Sequence, residues 1–244
     1  MLTRRPSRST SRGLAALATL ACLGALSACG TDEGEETASD TPATASSESG
    51  DAGSFEPATE GECAYPSDGN PSVEGVEAPP ADPEVEGEVA VTIATSVGEI
   101  GATLDAERTP CTVGSFVSLL EQGYFDGTEC HRLTTQGIFV LQCGDPTATG
   151  TGGPGYTIPD ELTGDETYPA GTLAMAKTPY PDSGGSQFFM VYEDTPLPAE
   201  YTVFGQVDKA GIEVLREVAA DGTATGQPDG PPATPVVLET VSAG

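Results

Sequence analysis

The stretch from residue 130 to residue 145 limits the fold more than any other part of the chain. It contains the only histidine, His131, followed by Arg132, and an apolar run then leads to Gln142. The middle of the stretch, TTQG, contains a glycine of the kind that turns favour. Its short, partly β-branched flanks predict the two strands of a hairpin. Such a hairpin would place Arg132, Phe139 and Gln142 on one patch of sheet, which suits a neutral ligand that carries a carbonyl group.

The beginning of the chain predicts a signal peptide of a bacterial lipoprotein over residues 1–28. Four arginines between residues 4 and 12 precede an apolar run, 14–26, that is too short to span a bilayer as a permanent helix. The tetrapeptide Leu-Ser-Ala-Cys then ends at Cys29. We expect cleavage before Cys29 and a lipid on its sulfur, which would anchor the protein in the cell envelope, on the outer face of the cytoplasmic membrane. The alternative is an ordinary signal peptide that a cysteine follows by chance.

The charge of the chain excludes some partners. The chain has 38 acidic residues and only 9 lysines and arginines, which gives a formal net charge of −29. A chain this acidic has no electrostatic attraction for nucleic acid or for anionic lipid headgroups. Residues 29–86 are rich in small polar and acidic residues and lack an apolar period, so they predict a disordered linker. A local island at 62–66, ECAYP, is the one part of the linker expected to dock on the domain.

Residues 87–244 predict one domain that is mainly β. Alternating apolar residues over 89–93 and 100–104 indicate the first two strands. Thr109 followed by Pro110 indicates a helix start, and an apolar stripe continues that helix to residue 120. A second helix is predicted over 210–220. About eight strands joined mainly by turns favour a closed eight-stranded antiparallel barrel, which the two α-helices would cap.

A series of short motifs in order resembles the cyclophilins, the peptidyl-prolyl cis–trans isomerases. These motifs are His131-Arg132, Phe139, Gln142-x-Gly144-Asp145, Gly150–Gly153, Met175-Ala176, Gly185–Phe189 and Val203–Gly205. The resemblance covers about residues 88 to 241. It implies an enzyme (EC 5.2.1.8) that rotates X-Pro bonds, acts on proline-containing polypeptides and uses no cofactor and no metal. Together with the signal peptide, it implies assistance to the folding of exported proteins.

The resemblance also implies a role for individual residues. Arg132 corresponds to the catalytic arginine, and His131 beside it is expected to be structural. The expected substrate-binding residues are Phe139, Val140, Gln142, Ala176, Lys177, Thr178, Gln187, Phe189, Leu197 and Tyr201. Three positions depart from the family pattern: Lys177 replaces an asparagine, Tyr201 replaces a histidine, and Pro196 replaces a tryptophan important for binding cyclosporin.

Four cysteines remain after the predicted cleavage site and its Cys29. In an exported chain Cys63, Cys111, Cys130 and Cys143 suggest two disulfides, for which three pairings exist. Cys130 and Cys143 lie at the outer ends of the predicted hairpin, so we favour Cys130–Cys143 together with Cys63–Cys111. Reduced thiols inside the core are the alternative for the hairpin pair.

Two other functions compete with the isomerase. The motif Asp182-Ser183-Gly184-Gly185 is similar to a serine-protease nucleophile loop, but His131 precedes it too closely for the two barrels of that fold. The second is a non-catalytic cyclophilin-like module of the cell envelope that only binds peptides. The presence of Arg132, Phe139 and Gln142 together argues against it. We expect the protein to be a monomer.

Overall fold

The structure is a computed structural model that describes residues 63–82 and 84–244. The predicted signal peptide, Cys29 and the first part of the predicted linker lie outside the described residues, so these predictions remain untested. The described residues all belong to one compact unit. Neither helix in this part of the chain is long and apolar enough to cross a membrane.

Ten strands and two helices make up the described part of the chain. The strands are β1 (Glu88–Thr95), β2 (Gly98–Asp105), β3 (Thr128–Glu129), β4 (Arg132–Thr134), β5 (Val140–Cys143), β6 (Thr172–Met175), β7 (Phe188–Val191), β8 (Val203–Val207), β9 (Asp229–Gly230) and β10 (Val237–Ala243), and the helices are α1 (Pro110–Glu121) and α2 (Lys209–Asp221). The predicted first hairpin is present, with Ile93 of β1 opposite Ile100 of β2. Both side chains are fully buried, as their period of two predicts.

All ten strands form one antiparallel sheet in the order β3-β10-β1-β2-β8-β6-β7-β5-β4-β9. The prediction of a closed eight-stranded barrel was wrong, because within the described residues the sheet stays open between β3 and β9. The ladder stops where the chain passes from β3 to β4 through Cys130 and His131. The segment between β9 and β10 contains Pro231, Pro232 and Pro235. Prolines have no backbone N–H to donate, so this segment does not continue the ladder.

The core contains a cluster of phenylalanine rings around α1. The ring of Phe116 lies 4.9 Å from that of Phe125 and 5.4 Å from those of Phe188 and Phe204, measured between centroids. All four side chains are essentially inaccessible to solvent. α1 also contacts β2 and β10, whereas α2 contacts β2. Aromatic burial of this extent is a main source of stability in a domain of this size.

The start of α1 is capped by a distant carboxylate. Thr109 occupies the predicted N-cap position, but its hydroxyl donates to the carbonyl of Asp105 and makes no cap. The carboxylate of Glu161 instead accepts from the N–H groups of Cys111 and Thr112, at 2.9 and 2.8 Å. A negative charge at a helix N-terminus is favourable, so Glu161 ties the loop after residue 155 to α1.

Residues 63–82, which fall inside the predicted linker, pack on the domain. Cys63 is joined to Cys111 at a Cα separation of 5.3 Å, and the hydroxyl of Tyr65 donates to the carbonyl of Cys111. The second disulfide joins Cys130 to Cys143 across the β4–β5 hairpin, with the Cα atoms 4.0 Å apart. This is the pairing that the sequence favours, and the predicted docking of the island at 62–66 is seen from residue 63 onward.

Candidate active site

The β4–β5 hairpin places Arg132 directly opposite Gln142. Nη1 of Arg132 donates to Oε1 of Gln142 at 3.3 Å. Nε2 of Gln142 donates to Oε1 of Gln187 at 2.9 Å, and Gln187 donates to the carbonyl of Gly152 at 2.9 Å. A line of hydrogen bonds therefore runs from the guanidinium along the sheet face. It fixes the two amides that the sequence predicts as substrate-binding groups.

The other edge of the guanidinium is held by Asp229. Nε of Arg132 donates to Oδ1 of Asp229 at 2.9 Å, and Nη2 donates to Oδ2 at 2.7 Å. Asp229 lies on β9, which pairs with β4. These hydrogen bonds raise the pKa of Arg132 above its ordinary value and lower the pKa of Asp229 below its own. Both groups therefore stay ionised at neutral pH, and the guanidinium has a defined orientation.

A cavity of about 140 Å³ lies beside Arg132. Its remaining walls combine apolar side chains with Gln142 and Lys177. The lining residues are Arg132, Ile138, Val140, Gln142, Ala176, Lys177, Phe189, Leu197 and Tyr201. An apolar pocket with a few polar groups at its edge is the usual form of a small-molecule or side-chain binding site.

Two aromatic side chains, those of Phe189 and Tyr201, line one side of this cavity, and Tyr168 packs against both of them. The ring of Phe189 lies 5.5 Å from that of Tyr201, edge to face, and 6.3 Å from that of Tyr168. The hydroxyl of Tyr168 donates to the carbonyl of Tyr201 and accepts from its N–H. Tyr168 is buried and does not line the cavity. It fixes the backbone that carries Tyr201, a role that no local sequence signal indicated.

A second cavity of about 490 Å³ adjoins the first. The two cavities share Gln142, Ala176 and Lys177 as lining residues. The larger one is also lined by Thr178 and Gln187, by the glycine-rich loop over 150–154, and by residues 183–186. The structure therefore brings every predicted catalytic or substrate-binding residue except Phe139 to one of two adjoining cavities.

Comparison with known proteins identifies this arrangement. The family described as cyclophilin type peptidyl-prolyl cis-trans isomerase/CLD matches residues 90–243. The chain belongs to the cyclophilin-type isomerases. Its domain is therefore a peptidyl-prolyl cis–trans isomerase (EC 5.2.1.8), whose substrates are proline-containing peptides.

Similar proteins are found among bacterial cyclophilins. A probable peptidyl-prolyl cis-trans isomerase B of Mycobacterium leprae is 44% identical over 208 residues, which cover 77% of this chain and 69% of the relative. A protein of the same name from Mycobacterium tuberculosis is 45% identical over 197 residues, or 73% of this chain and 63% of the relative. The chain thus spans about two thirds of the length of these relatives. Peptidyl-prolyl cis-trans isomerase B of Bacillus subtilis is 44% identical over 127 residues, 48% of this chain and 86% of its own.

The fold is also that of the cyclophilins. A crystal structure of a cyclophilin type peptidyl-prolyl cis-trans isomerase from Cryptosporidium parvum superposes with a TM-score of 0.58 at 29% identity. The match covers 64% of this chain and 98% of that one. The described domain is therefore a mainly β, cyclophilin-like fold with two helices.

Phe139 does not line the proline-sized cavity of this cyclophilin domain, so its predicted place in the pocket was wrong. Its half-buried ring packs on the main core, 5.9 Å from the ring of Tyr192 and nearly perpendicular to it. Ile138 occupies the cavity wall instead. Successive residues of an extended segment point to opposite sides, so Ile138 and Val140 share the face of Gln142.

Lys177, which replaces the family's asparagine, forms an ion pair with a neighbouring carboxylate. Its Nζ lies 2.5 Å from Oδ2 of Asp160, and both side chains are nearly buried. The same carboxylate oxygen accepts from the N–H of Asp182, and Oδ1 of Asp182 accepts from the N–H of Asp160. The ammonium is therefore fixed between the two cavities and is not free to pair with a ligand.

The buried ring of His131 lies next to Arg132 in the sequence. Neither Nδ1 nor Nε2, both buried, makes a hydrogen bond within the described residues. Burial lowers the pKa of His131, so its imidazole is neutral at neutral pH. The structural role of His131 stays a prediction.

Asp145 organises the glycine-rich loop under the larger cavity. Its fully buried carboxylate accepts from the N–H groups of Thr147, Thr149, Gly150 and Gly152. Burial alone would raise the pKa of Asp145, but the hydrogen bonds outweigh it and lower the pKa to about 2. The sequence indicated Asp145 only as part of a family motif. Within residues 63–82 and 84–244, no group of three or more His, Cys, Asp or Glu could hold a metal ion.

Proposed function

We propose that this domain isomerises X-Pro bonds with the proline ring in the 140 Å³ cavity and Arg132 as the catalytic residue. The observation that carries the proposal is the position of the guanidinium. It is held by Asp229 on one edge while Nη1 faces Gln142 at the border of an apolar cavity. Val140, Phe189 and Leu197 supply the apolar surface for the ring.

The chemistry needs no base, nucleophile or metal. Amide resonance imposes a rotational barrier of about 18–20 kcal/mol on the peptide bond. As the bond twists, resonance is lost and lone-pair density returns to the prolyl nitrogen. A hydrogen-bond donor beside that nitrogen stabilises the twisted state more than the planar one, which lowers the barrier. The guanidinium of Arg132 is the charged donor that borders the cavity.

The remaining polar residues would hold the peptide backbone. Gln142 and Gln187 are already ordered by their mutual hydrogen bond, so little freedom is lost when they bind a peptide. The next segment, residues 176–178, directly follows β6. Ala176 and Lys177 border both cavities, and Thr178 borders the larger one. We infer that this segment offers backbone groups to an extended substrate, while the charge of Lys177 is balanced by the carboxylate of Asp160.

We further propose that the protein acts on exported polypeptides at the outer face of the cytoplasmic membrane. The arginine-rich start, the short apolar run and Cys29 support a lipoprotein signal. The two disulfides support an oxidising compartment, because disulfides are rare in reducing ones. The acidic segment after Cys29 would separate the domain from the lipid, and the expected monomer stays a prediction.

Separate experiments test the activity and the anchor. A protease-coupled assay with a proline peptide measures isomerisation, and a proline-limited refolding assay extends it to a protein substrate. Binding without acceleration in both assays would support the non-catalytic module instead. For the anchor, cells would be labelled with radioactive palmitate. Label and membrane association should vanish in Cys29→Ala and persist in the matched variant Cys22→Ala, whereas label that persists in Cys29→Ala would contradict the lipoprotein proposal.

A further inference from the structure

The segment before the family domain contributes to the substrate groove. The family match begins at residue 90, yet Asp68 and Asn70 both line the larger cavity. This cavity adjoins the proline cavity through Gln142, Ala176 and Lys177. A peptide with its proline in the smaller cavity would therefore continue into the larger cavity that Asp68 lines.

The segment is fixed in this position by backbone hydrogen bonds. The N–H of Asp68 donates to the carbonyl of Gly155 at 3.0 Å, and the N–H of Thr157 donates to the carbonyl of Pro66 at 3.0 Å. Ser72 donates to the carbonyl of Gly153 at 2.9 Å. The disulfide from Cys63 to α1 secures the near end. The segment, residues 66–72, is therefore a defined wall of the groove.

The charges of the larger cavity favour one class of side chain. Its charged lining residues are Asp68 and Lys177, and Lys177 is already paired with Asp160. Asp68 is exposed and has no cationic partner within the described residues. One of its oxygens, Oδ1, accepts from the N–H of Asn70, which orders the carboxylate. The groove therefore presents a net negative charge to the substrate.

We propose that Asp68 is a specificity-determining residue that favours a lysine or arginine near the proline of the substrate. This inference rests on the proposed isomerase function and adds a substrate class to it. The effect is modest, because the carboxylate is exposed to water. We expect kcat/KM for a lysine-containing peptide to exceed that for its alanine counterpart by about threefold at low salt, and the difference to shrink at high salt.

The test uses matched peptides that carry lysine, alanine or glutamate at each of the three positions on either side of the proline. NMR exchange measures isomerisation of each by the full protein at low and high salt. The lysine-to-alanine ratio should be about three at one or more positions and should fall to about one in Asp68→Asn. Asparagine can still accept from the N–H of Asn70, so the segment should keep its fold. The matched variant Glu74→Gln removes an exposed acid that follows this segment and does not line this cavity, and its ratio should equal that of the natural protein.

Each outcome has a defined meaning. A natural protein that isomerises all peptides with a lysine-to-alanine ratio of one would overturn the role of Asp68. A preference that survives Asp68→Asn would also overturn it. Failure to isomerise any peptide would instead contradict the proposed isomerase mechanism, so the two failures are distinguishable.

Discussion

Arg132 and Asp229, which are 97 residues apart in sequence, form a two-point ion pair with N–O distances of 2.9 and 2.7 Å. The pair leaves Nη1 of Arg132 as the edge that faces Gln142. A planar guanidinium held at two atoms cannot rotate freely, whereas one held at a single atom can. Asp229 therefore acts as a positioning residue for the proposed catalytic group.

We predict that Asp229→Ala lowers kcat/KM for a proline peptide by about tenfold, because a mispositioned donor stabilises the twisted amide poorly. The melting temperature should change little, since exposed ion pairs contribute at most about 1 kcal/mol to stability. Asp229→Asn keeps a hydrogen-bond acceptor and should retain intermediate activity. Isomerisation by the natural protein should not vary between pH 8 and pH 5, because the lowered pKa of Asp229 keeps it ionised there. Full activity in a folded Asp229→Ala protein would show that Arg132 does not need Asp229 to hold its orientation.

A pair of neighbouring substitutions tests which apolar residue forms the pocket. Ile138→Ala removes a cavity wall and should lower kcat/KM severalfold with a small change in stability. Phe139→Ala removes a half-buried core ring and should lower the free energy of unfolding by about 2 kcal/mol, while the folded protein stays active. Urea unfolding and the peptide assay measure both quantities. If Phe139→Ala lowered kcat/KM and Ile138→Ala mainly lowered stability, Phe139 would be the residue that forms the pocket.

Much of this site was predictable from sequence, and the failures have physical causes. The spacing of Arg132 and Gln142 around a turn was sufficient to predict that both lie on one patch of a hairpin, and the structure pairs them directly. Phe139 was misassigned because successive residues of an extended segment face opposite sides, so an error of one position exchanges a pocket residue for a core residue. Asp229 gave no local signal, because its partner is distant in sequence. The open sheet was missed for a different reason. Whether the prolines after β9 interrupt the hydrogen-bond ladder depends on which segment lies opposite them, and that is not visible in the sequence.

The disulfide between Cys63 and Cys111 should stabilise the domain. It closes a loop with a sequence separation of 48 residues, for which the chain-entropy description gives about 4 kcal/mol, an upper figure for real disulfides. We predict that Cys63→Ser lowers the melting temperature of the oxidised protein by several degrees in calorimetry. Peptide mapping without reductant should recover Cys63 joined to Cys111. Recovery of Cys63 joined to Cys143 would contradict the pairing.

Asp145 should make stability depend on pH in the acid range. Its pKa is lowered from 3.8 to about 2, so the ionised group stabilises the fold fully above pH 4, and this contribution is lost as the pH falls towards 2. The contribution is about 2 kcal/mol by linkage. Asp145→Asn should be less stable at pH 7 and should lack this part of the pH dependence. Denaturant unfolding at several pH values measures it, and parallel curves for the two proteins would rule out this role for Asp145.

Turnover by Arg132→Ala tests the central proposal most directly. NMR exchange with a proline peptide would measure isomerisation, and circular dichroism would verify the fold. We predict a loss of about 10²-fold or more in turnover, with peptide affinity reduced much less, because the donor acts mainly on the twisted amide. Arg132→Lys, which keeps the charge but lacks the planar fork, should recover only part of the activity. Near-natural turnover by a folded Arg132→Ala protein would contradict the proposed mechanism.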